Sequence, residues 1–205
     1  MVDIIYFFLI SVLIMMSVLG YGYLFIKIAN FKIEKFNLGL VGFLGLFFLS
    51  IIASYSHILM PHSYMHNIII IITGLLSLYF FSKKFDSNIT SNLKYLILIF
   101  SLLFISLLIS KTNEDFPYYH LTYALNLSEN SFAIGTGHFS HGFRTFSSLF
   151  FFHSILYMPL IEFYLFHSGP FYILIFFNFI IVSELLKNYK SKKTDLLYFF
   201  SILSL

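Results

Sequence analysis

The 205-residue chain has no cysteine and no tryptophan, only four prolines, and only 10% charged residues. Without cysteine there is no disulfide framework, no iron–sulfur site, no thiolate zinc site and no thiol nucleophile. Soluble domains carry roughly 25% charged residues, so the shortage of charge excludes a water-soluble globule and a disordered tail. The formal charge of +3, from 12 basic and 9 acidic residues, is too thinly spread to neutralise a phosphate backbone, so no nucleic-acid partner is expected. What the chain has instead is apolar: 59% hydrophobic residues, including 29 Phe and 15 Tyr. Phe, Tyr, Ile, Asn and Lys all use A/T-rich codons, and with tryptophan missing we read much of the aromatic excess as composition rather than function. The expected fold is all-α, a polytopic helical membrane protein.

A helix crosses ~30 Å of hydrocarbon with about 20 largely apolar residues. Four such runs come first, at 4–26, 38–60, 63–81 and 93–109. The first has neither a basic start nor a small-residue cleavage site, which makes it a retained anchor rather than a signal peptide. A polar stretch, 111–145, is followed by apolar blocks at 146–166 and 171–186 and by a run at 196–205. That last run rises only ~15 Å as a helix, half a crossing, and is expected to continue past Leu205. Residues 1–92 thus hold three spans. Residues 93–205 hold a core of span 93–110, loop 111–145, block 146–168, span 171–187 and partial span 196–205.

Basic residues favour the cytoplasmic side of a membrane. Placing Lys27, Lys32 and Lys35, then Lys83, Lys84 and Lys94, then Lys187, Lys190, Lys192 and Lys193 inside leaves only Lys111 and Arg144 outside. The 111–145 loop then faces outward, and an odd number of crossings must separate it from the lysines at 187–193. One of the two apolar blocks therefore does not span. Block 146–166 is the expected exception, since it contains His153, Pro159 and Glu162, with His167 directly after it, and a carboxylate deep in lipid costs at least ~2.5 kcal/mol. Glu184 is expected beside Lys187. All eight histidines fall in or near the outer half, where side chains with one wet end suit an interface. Gly39, Gly42 and Gly45 recur every three residues on the second span and, with Gly20, Gly22 and Gly74, are expected to let helices approach closely.

Chemistry concentrates in residues 111–148, which hold three acidic residues, three histidines and the single arginine. Asp115 precedes Phe116-Pro117, a pattern that starts a helix, so one reading of Asp115 is a plain N-cap. Phe116, Tyr119, His120, Tyr123 and Leu127 then repeat at helical spacing, giving a short surface helix with an aromatic face. The other reading of Asp115, or of its neighbour Glu114, is a general base at the lipid–water boundary. Downstream, His138, His141 and Arg144 lie three residues apart among Gly135, Gly137 and Gly142. If that stretch is helical they share a face and can hold a phosphate or diphosphate. The two histidines with Asp115 leave room for a divalent metal, although no metal ligand is assigned. A snorkelling turn linking two apolar helices is the simpler alternative.

A span delivering an acidic pair to a large outer loop with surface helices resembles the GT-C superfamily of glycosyltransferases. Glu114-Asp115 with Tyr119-His120, then Gly137 through Arg144 and Ser147-Ser148, is similar to a group of bacterial multi-span proteins of that type, over residues 93–187. The resemblance implies transfer, usually with inversion, of a sugar from a polyprenyl-phosphate carrier to a glycan, lipid or protein acceptor. It places this outside the bacterial inner membrane. Asp115 or Glu114 would serve as base, and His120, His138, His141 and Arg144 as substrate and phosphate contacts. It also implies juxtamembrane helices after the acidic motif. Three spans precede the family-like core, where many members begin with it directly. The alternatives are a transporter, flippase or polymerase subunit for surface polysaccharide, and a non-catalytic assembly protein.

The lysine distribution makes a direct prediction. In spheroplasts, a membrane-impermeant thiol reagent is expected to label Ser131→Cys and not Ser191→Cys, because no native cysteine competes. Labelling at 191 alone would put the acidic motif in the cytoplasm.

Overall fold

The computed structural model describes residues 4–31, 37–85, 88–109, 115–138, 141–144 and 147–191; residues 83–85, 109, 141–142 and 188–191 are described by backbone alone. Among the described residues the chain is helical and has no sheet. Five helices are long and apolar enough to cross a membrane: α1 (Ile4–Ile28), α2 (Leu38–Leu59), α3 (Tyr64–Phe85), α4 (Ile89–Ile109) and α7 (Gly169–Ser191). Two short helices, α5 (Leu121–Glu129) and α6 (Ser148–Ile155), lie between α4 and α7. The chain is an all-α, polytopic membrane protein. Its fourth span starts four residues earlier than the apolar run, because Ile89 through Asn92 already form the first turn of α4.

Helix ends follow from local chemistry. At the start of α2 the Asn37 side-chain oxygen accepts the Leu40 amide at 2.9 Å, satisfying a donor that has no partner within the helix. At its end, Met60 is extended (φ −160°, ψ 156°). Pro61 forces this, since its ring disfavours a helical conformation in the residue before it. The chain therefore turns sharply between α2 and α3.

Helix α1 is the hub, packed along both α2 and α3. A Cβ added at Gly20 would overlap the Gly74 carbonyl, and one at Gly45 would overlap the Val18 carbonyl. These helices touch backbone to backbone, as small residues permit. Gly39 and Gly42 meet Ile180 and Phe176 of α7 instead, so the three-residue glycine repeat serves two neighbours. The Tyr21 hydroxyl donates to the Ile70 carbonyl at 2.9 Å, satisfying a polar group inside the seam. Helix α4 packs on α7 and reaches α1 through aromatic edges, with Phe8 and Phe104 centroids 5.0 Å apart.

The five long helices alternate in direction and give the bundle two chemically different ends. One end carries Lys27, whose ammonium sits 4.2 Å from the Phe81 ring centroid, and Lys187, paired with Glu184 at 3.6 Å. The opposite end is covered by the described residues of 115–138, 141–144 and 147–168. Block 146–166 forms no spanning helix there, in keeping with the odd crossing count that the lysines require. Helix α6 has eight residues and rises ~12 Å; turns follow through His167. Those turns place Leu160 (φ 68°) and Glu162 (φ 50°) in the left-handed region. Glu162 is exposed, so its carboxylate meets no apolar core. The run at 196–205 lies outside the described residues.

Because the glycine seams leave no space for a methyl, Gly20→Ala and Gly45→Ala should each lower stability by about 1–3 kcal/mol through overpacking. Thermal unfolding of the purified protein, followed by circular dichroism, reads the effect as a lower midpoint.

Candidate functional site

The covering segment is seated on the bundle by a buried polar network. Asn67, fully buried near the start of α3, directs its amide nitrogen at the carbonyls of His62 (2.8 Å), Ser154 (2.9 Å) and Tyr157 (2.9 Å). The His62 backbone amide donates to the Leu127 carbonyl at 3.0 Å, which ties in α5. Tyr64 and Tyr157 stack with centroids 4.4 Å apart.

Geometry assigns the His62 tautomer. Its Nε2 lies 3.1 Å from the Ala53 carbonyl oxygen, which can only accept, so Nε2 carries the proton. The Ser56 hydroxyl, itself donating to Ala53, lies 3.1 Å from the same nitrogen. His62 Nδ1 then accepts from the Ser154 hydroxyl at 2.6 Å, the shorter of the two bonds open to that hydroxyl, the other being to the Phe151 carbonyl at 2.9 Å. Burial, with the nearby His66 and His57 adding to it, lowers His62 to about 3, so the ring is neutral. His66 stacks on it at 4.7 Å. His57 Nδ1 and His66 Nε2 are buried without a hydrogen-bond partner.

Above this base the chemistry-bearing loop runs over the surface. Asp115 is exposed, and its Oδ2 accepts from the Tyr119 hydroxyl at 3.4 Å. Burial first, then the Asp115 carboxylate, raises the Tyr119 phenol above its ordinary range. The N-cap reading of Asp115 does not hold. The residue is itself helical (φ −68°, ψ −17°) and makes no capping bond. A capping residue must sit outside the helical conformation, and Pro117 removes one of the two amides such a cap would accept from. Residues Phe116–His120 form a wide turn in which the Leu121 amide reaches back to the Phe116 carbonyl, and α5 follows. The regular helix expected over this stretch is therefore widened at its first turn. His120 stacks on Tyr119 at 4.3 Å and meets Phe150 edge-on at 5.1 Å.

Between 134 and 144 the described residues are 134–138 and 141–144, so the shared face expected for His138, His141 and Arg144 falls partly outside the described residues. These segments form two tight turns, Thr136–His138 and His141–Arg144. Gly135 has φ 89°, a left-handed conformation that sets the Thr136–His138 turn off from the chain before it. Arg144 Nε donates to the Gly137 carbonyl at 3.0 Å and binds the two turns together. The Arg144 turn also packs against the His120 turn, with Phe143 and Tyr123 rings 5.4 Å apart. The surface thus brings together the segments bearing Asp115, His120, His138, His141 and Arg144. His138 and Arg144 are exposed. Glu114 and the His141 side chain lie outside the described residues. Among the described residues no three His, Asp or Glu side chains converge as a metal site.

A third histidine group lies below the wide turn. His153 is buried on α6, its Nε2 packed against Gly169 without a hydrogen-bond partner. Burial lowers it to about 3, with His120 and His167 contributing. Sequence reasoning assigned His57, His62 and His66 to a wet interface and missed their burial. The available signal was three histidines within ten residues flanking Met60-Pro61, followed at once by Asn67. No family model, curated protein or solved structure matches this chain.

His62 and His153 both titrate near 3 when folded, against about 6.5 when unfolded. Between these values the unfolded chain binds more protons, so stability is full above pH 6.5 and falls as pH drops toward 3. The thermal midpoint should decline across that window and decline less steeply in His62→Gln and His153→Gln.

Proposed function

We propose that the chain acts in a membrane glycosyltransferase that moves a sugar from a polyprenyl-phosphate carrier to an acceptor hydroxyl. The observation that carries this reading is the exposed Asp115 carboxylate at the covered end of the bundle, with the only arginine's turn packed against the adjoining His120 turn. A carboxylate in that position is able to accept the acceptor's hydroxyl proton. The freed oxygen attacks the anomeric carbon as the bond from that carbon to the carrier phosphate oxygen breaks. The leaving phosphate keeps the electron pair, and configuration inverts. Arg144, with His138 and His141, meets the phosphate charge, since guanidinium and imidazole N–H groups pair well with phosphate oxygens. His120, stacked on Tyr119, borders the acceptor side. Glu114 is the neighbouring candidate for the base.

On the lysine distribution this end faces out of the bacterial inner membrane. The acceptor is then a glycan, lipid or protein of the cell envelope. The aromatic surface of Tyr118, Tyr119 and Phe116 supports contact with lipid headgroups, where amphipathic rings settle.

In the full-length protein, Asp115→Asn should lower sugar transfer by about 10²–10⁴-fold, the usual contribution of a positioned base, at unchanged abundance. The readout is incorporation of labelled sugar from a synthetic carrier into membranes. Retained transfer in Asp115→Asn with loss in Glu114→Gln would move the base by one residue. Retained transfer in both would end the assignment.

A further inference from the structure

Beneath the Thr136–His138 turn is a cleft of about 80 Å³ lined by His57, Tyr123, Asn126, Ser131, Thr136 and four aromatic or aliphatic neighbours, among them Phe132 and Phe151. Its polar complement is unusual for a space of this size. His57, 3% exposed, has an Nδ1 with no hydrogen-bond partner. Among the described residues, the hydroxyls of Tyr123, Ser131 and Thr136 make no hydrogen bond either. The Asn126 side-chain oxygen is taken by Asn130 at 3.0 Å, and its amide nitrogen is left to donate. A native fold pairs most buried polar groups, so the buried His57 Nδ1 calls for a partner, and Tyr123, the half-exposed Asn126 and Thr136 and the exposed Ser131 around it offer further donors and acceptors to the same ligand.

The lining narrows the chemistry of that ligand. No Lys, Arg, Asp or Glu lines the cleft, which argues against an anion or a metal ion. An apolar ligand would leave the buried His57 Nδ1 unpaired and strip water from the hydroxyls and amide around it. Hydroxyls both donate and accept, which matches vicinal alcohols. The Phe132 and Phe151 rings suit the C–H face of a saccharide. At about 30 Å³ per water, the cleft has room for two or three waters or the hydroxyl-bearing edge of one sugar ring. Phe143, in the Arg144 turn, packs on Tyr123, so the cleft adjoins the charged turns without sharing their charge.

We infer that this cleft binds the uncharged, polyhydroxylated edge of a saccharide, held by His57, Asn126, Ser131 and Thr136. It rests on the glycosyl-transfer reading only for what the sugar is attached to; the binding itself does not require Asp115.

The full-length protein in a zwitterionic, sugar-free detergent is exposed to free glucose, mannose, N-acetylglucosamine and arabinose at millimolar concentration. Saturation-transfer NMR then reads contact. At least one sugar should receive magnetisation, with the signal retained in Asp115→Asn. It should fall about tenfold or more in the Ser131→Ala/Thr136→Val double variant, whose sites are on or near the surface, and in Ala133→Phe, which fills the mouth. Matching thermal midpoints certify that both variants fold. Absence of transfer to all four sugars, or equal transfer to wild type and both variants, overturns the inference and leaves a water-filled cleft. Sugar binding with full transferase activity in Asp115→Asn and Glu114→Gln would leave the cleft standing and remove the catalytic assignment. In an active preparation, a raised KM for the carrier-linked sugar in the double variant puts the donor sugar in the cleft. A raised KM for the acceptor puts the acceptor there.

Discussion

At Asn67 one amide nitrogen, with two hydrogens to give, faces three carbonyl oxygens. The rest of the covered end depends on it. Irregular backbone near a membrane survives only where its polar groups are satisfied inside the protein. The carbonyls in question belong to the connection after Pro61, to the last turn of α6 and to the residue where α6 gives way to turns. One side chain thus answers for the three places where the backbone leaves helical bonding. His62 does the same through its ring, joining α2 to α6 by way of the Ala53 carbonyl and the Ser154 hydroxyl.

This anchorage is only as firm as the helix that presents it. Asn67 rises from α3, which is locked to α1 where Gly20 faces Gly74. From that seam the support runs through Asn67 to α6, through the His62 amide to α5, and through the Tyr123–Phe143 contact to the Arg144 turn. The last members of this series are exposed loops, and loops borne on a rigid frame are where binding chemistry usually resides. Apolar packing close to the membrane therefore controls the geometry of charged groups beyond it.

The parts legible in sequence were those governed by the bilayer. Span positions follow from a length requirement, the non-spanning block follows from where lysines can sit, and the glycine seams follow from spacing on a helix. These are one-dimensional constraints, and a sequence displays them directly. The buried histidines were illegible for the opposite reason. A histidine at a helix end looks the same whether it faces water or accepts a hydrogen bond from the Ser154 hydroxyl, ninety-two residues away. The Asp115 cap failed on a local detail, the amide that Pro117 lacks. For His138, His141 and Arg144, spacing by three suits one continuous helix and separate tight turns alike, and the described residues show turns at Thr136–His138 and His141–Arg144. The candidate patch was found in sequence as a set of residues. Its arrangement came from contacts between turns, which spacing does not encode.

The bond from Arg144 to the Gly137 carbonyl has a consequence of its own. A free arginine side chain loses about 2 kcal/mol of rotamer entropy when it is pinned. Here part of that loss is incurred during folding, because Nε is already committed to the backbone. The side chain waits in a narrowed set of postures and, among the described residues, its two terminal nitrogens make no bond. A lysine would carry the same charge but lacks a second nitrogen with which to brace itself. Arginine at this position commits one nitrogen to the scaffold and still presents two more on an exposed side chain.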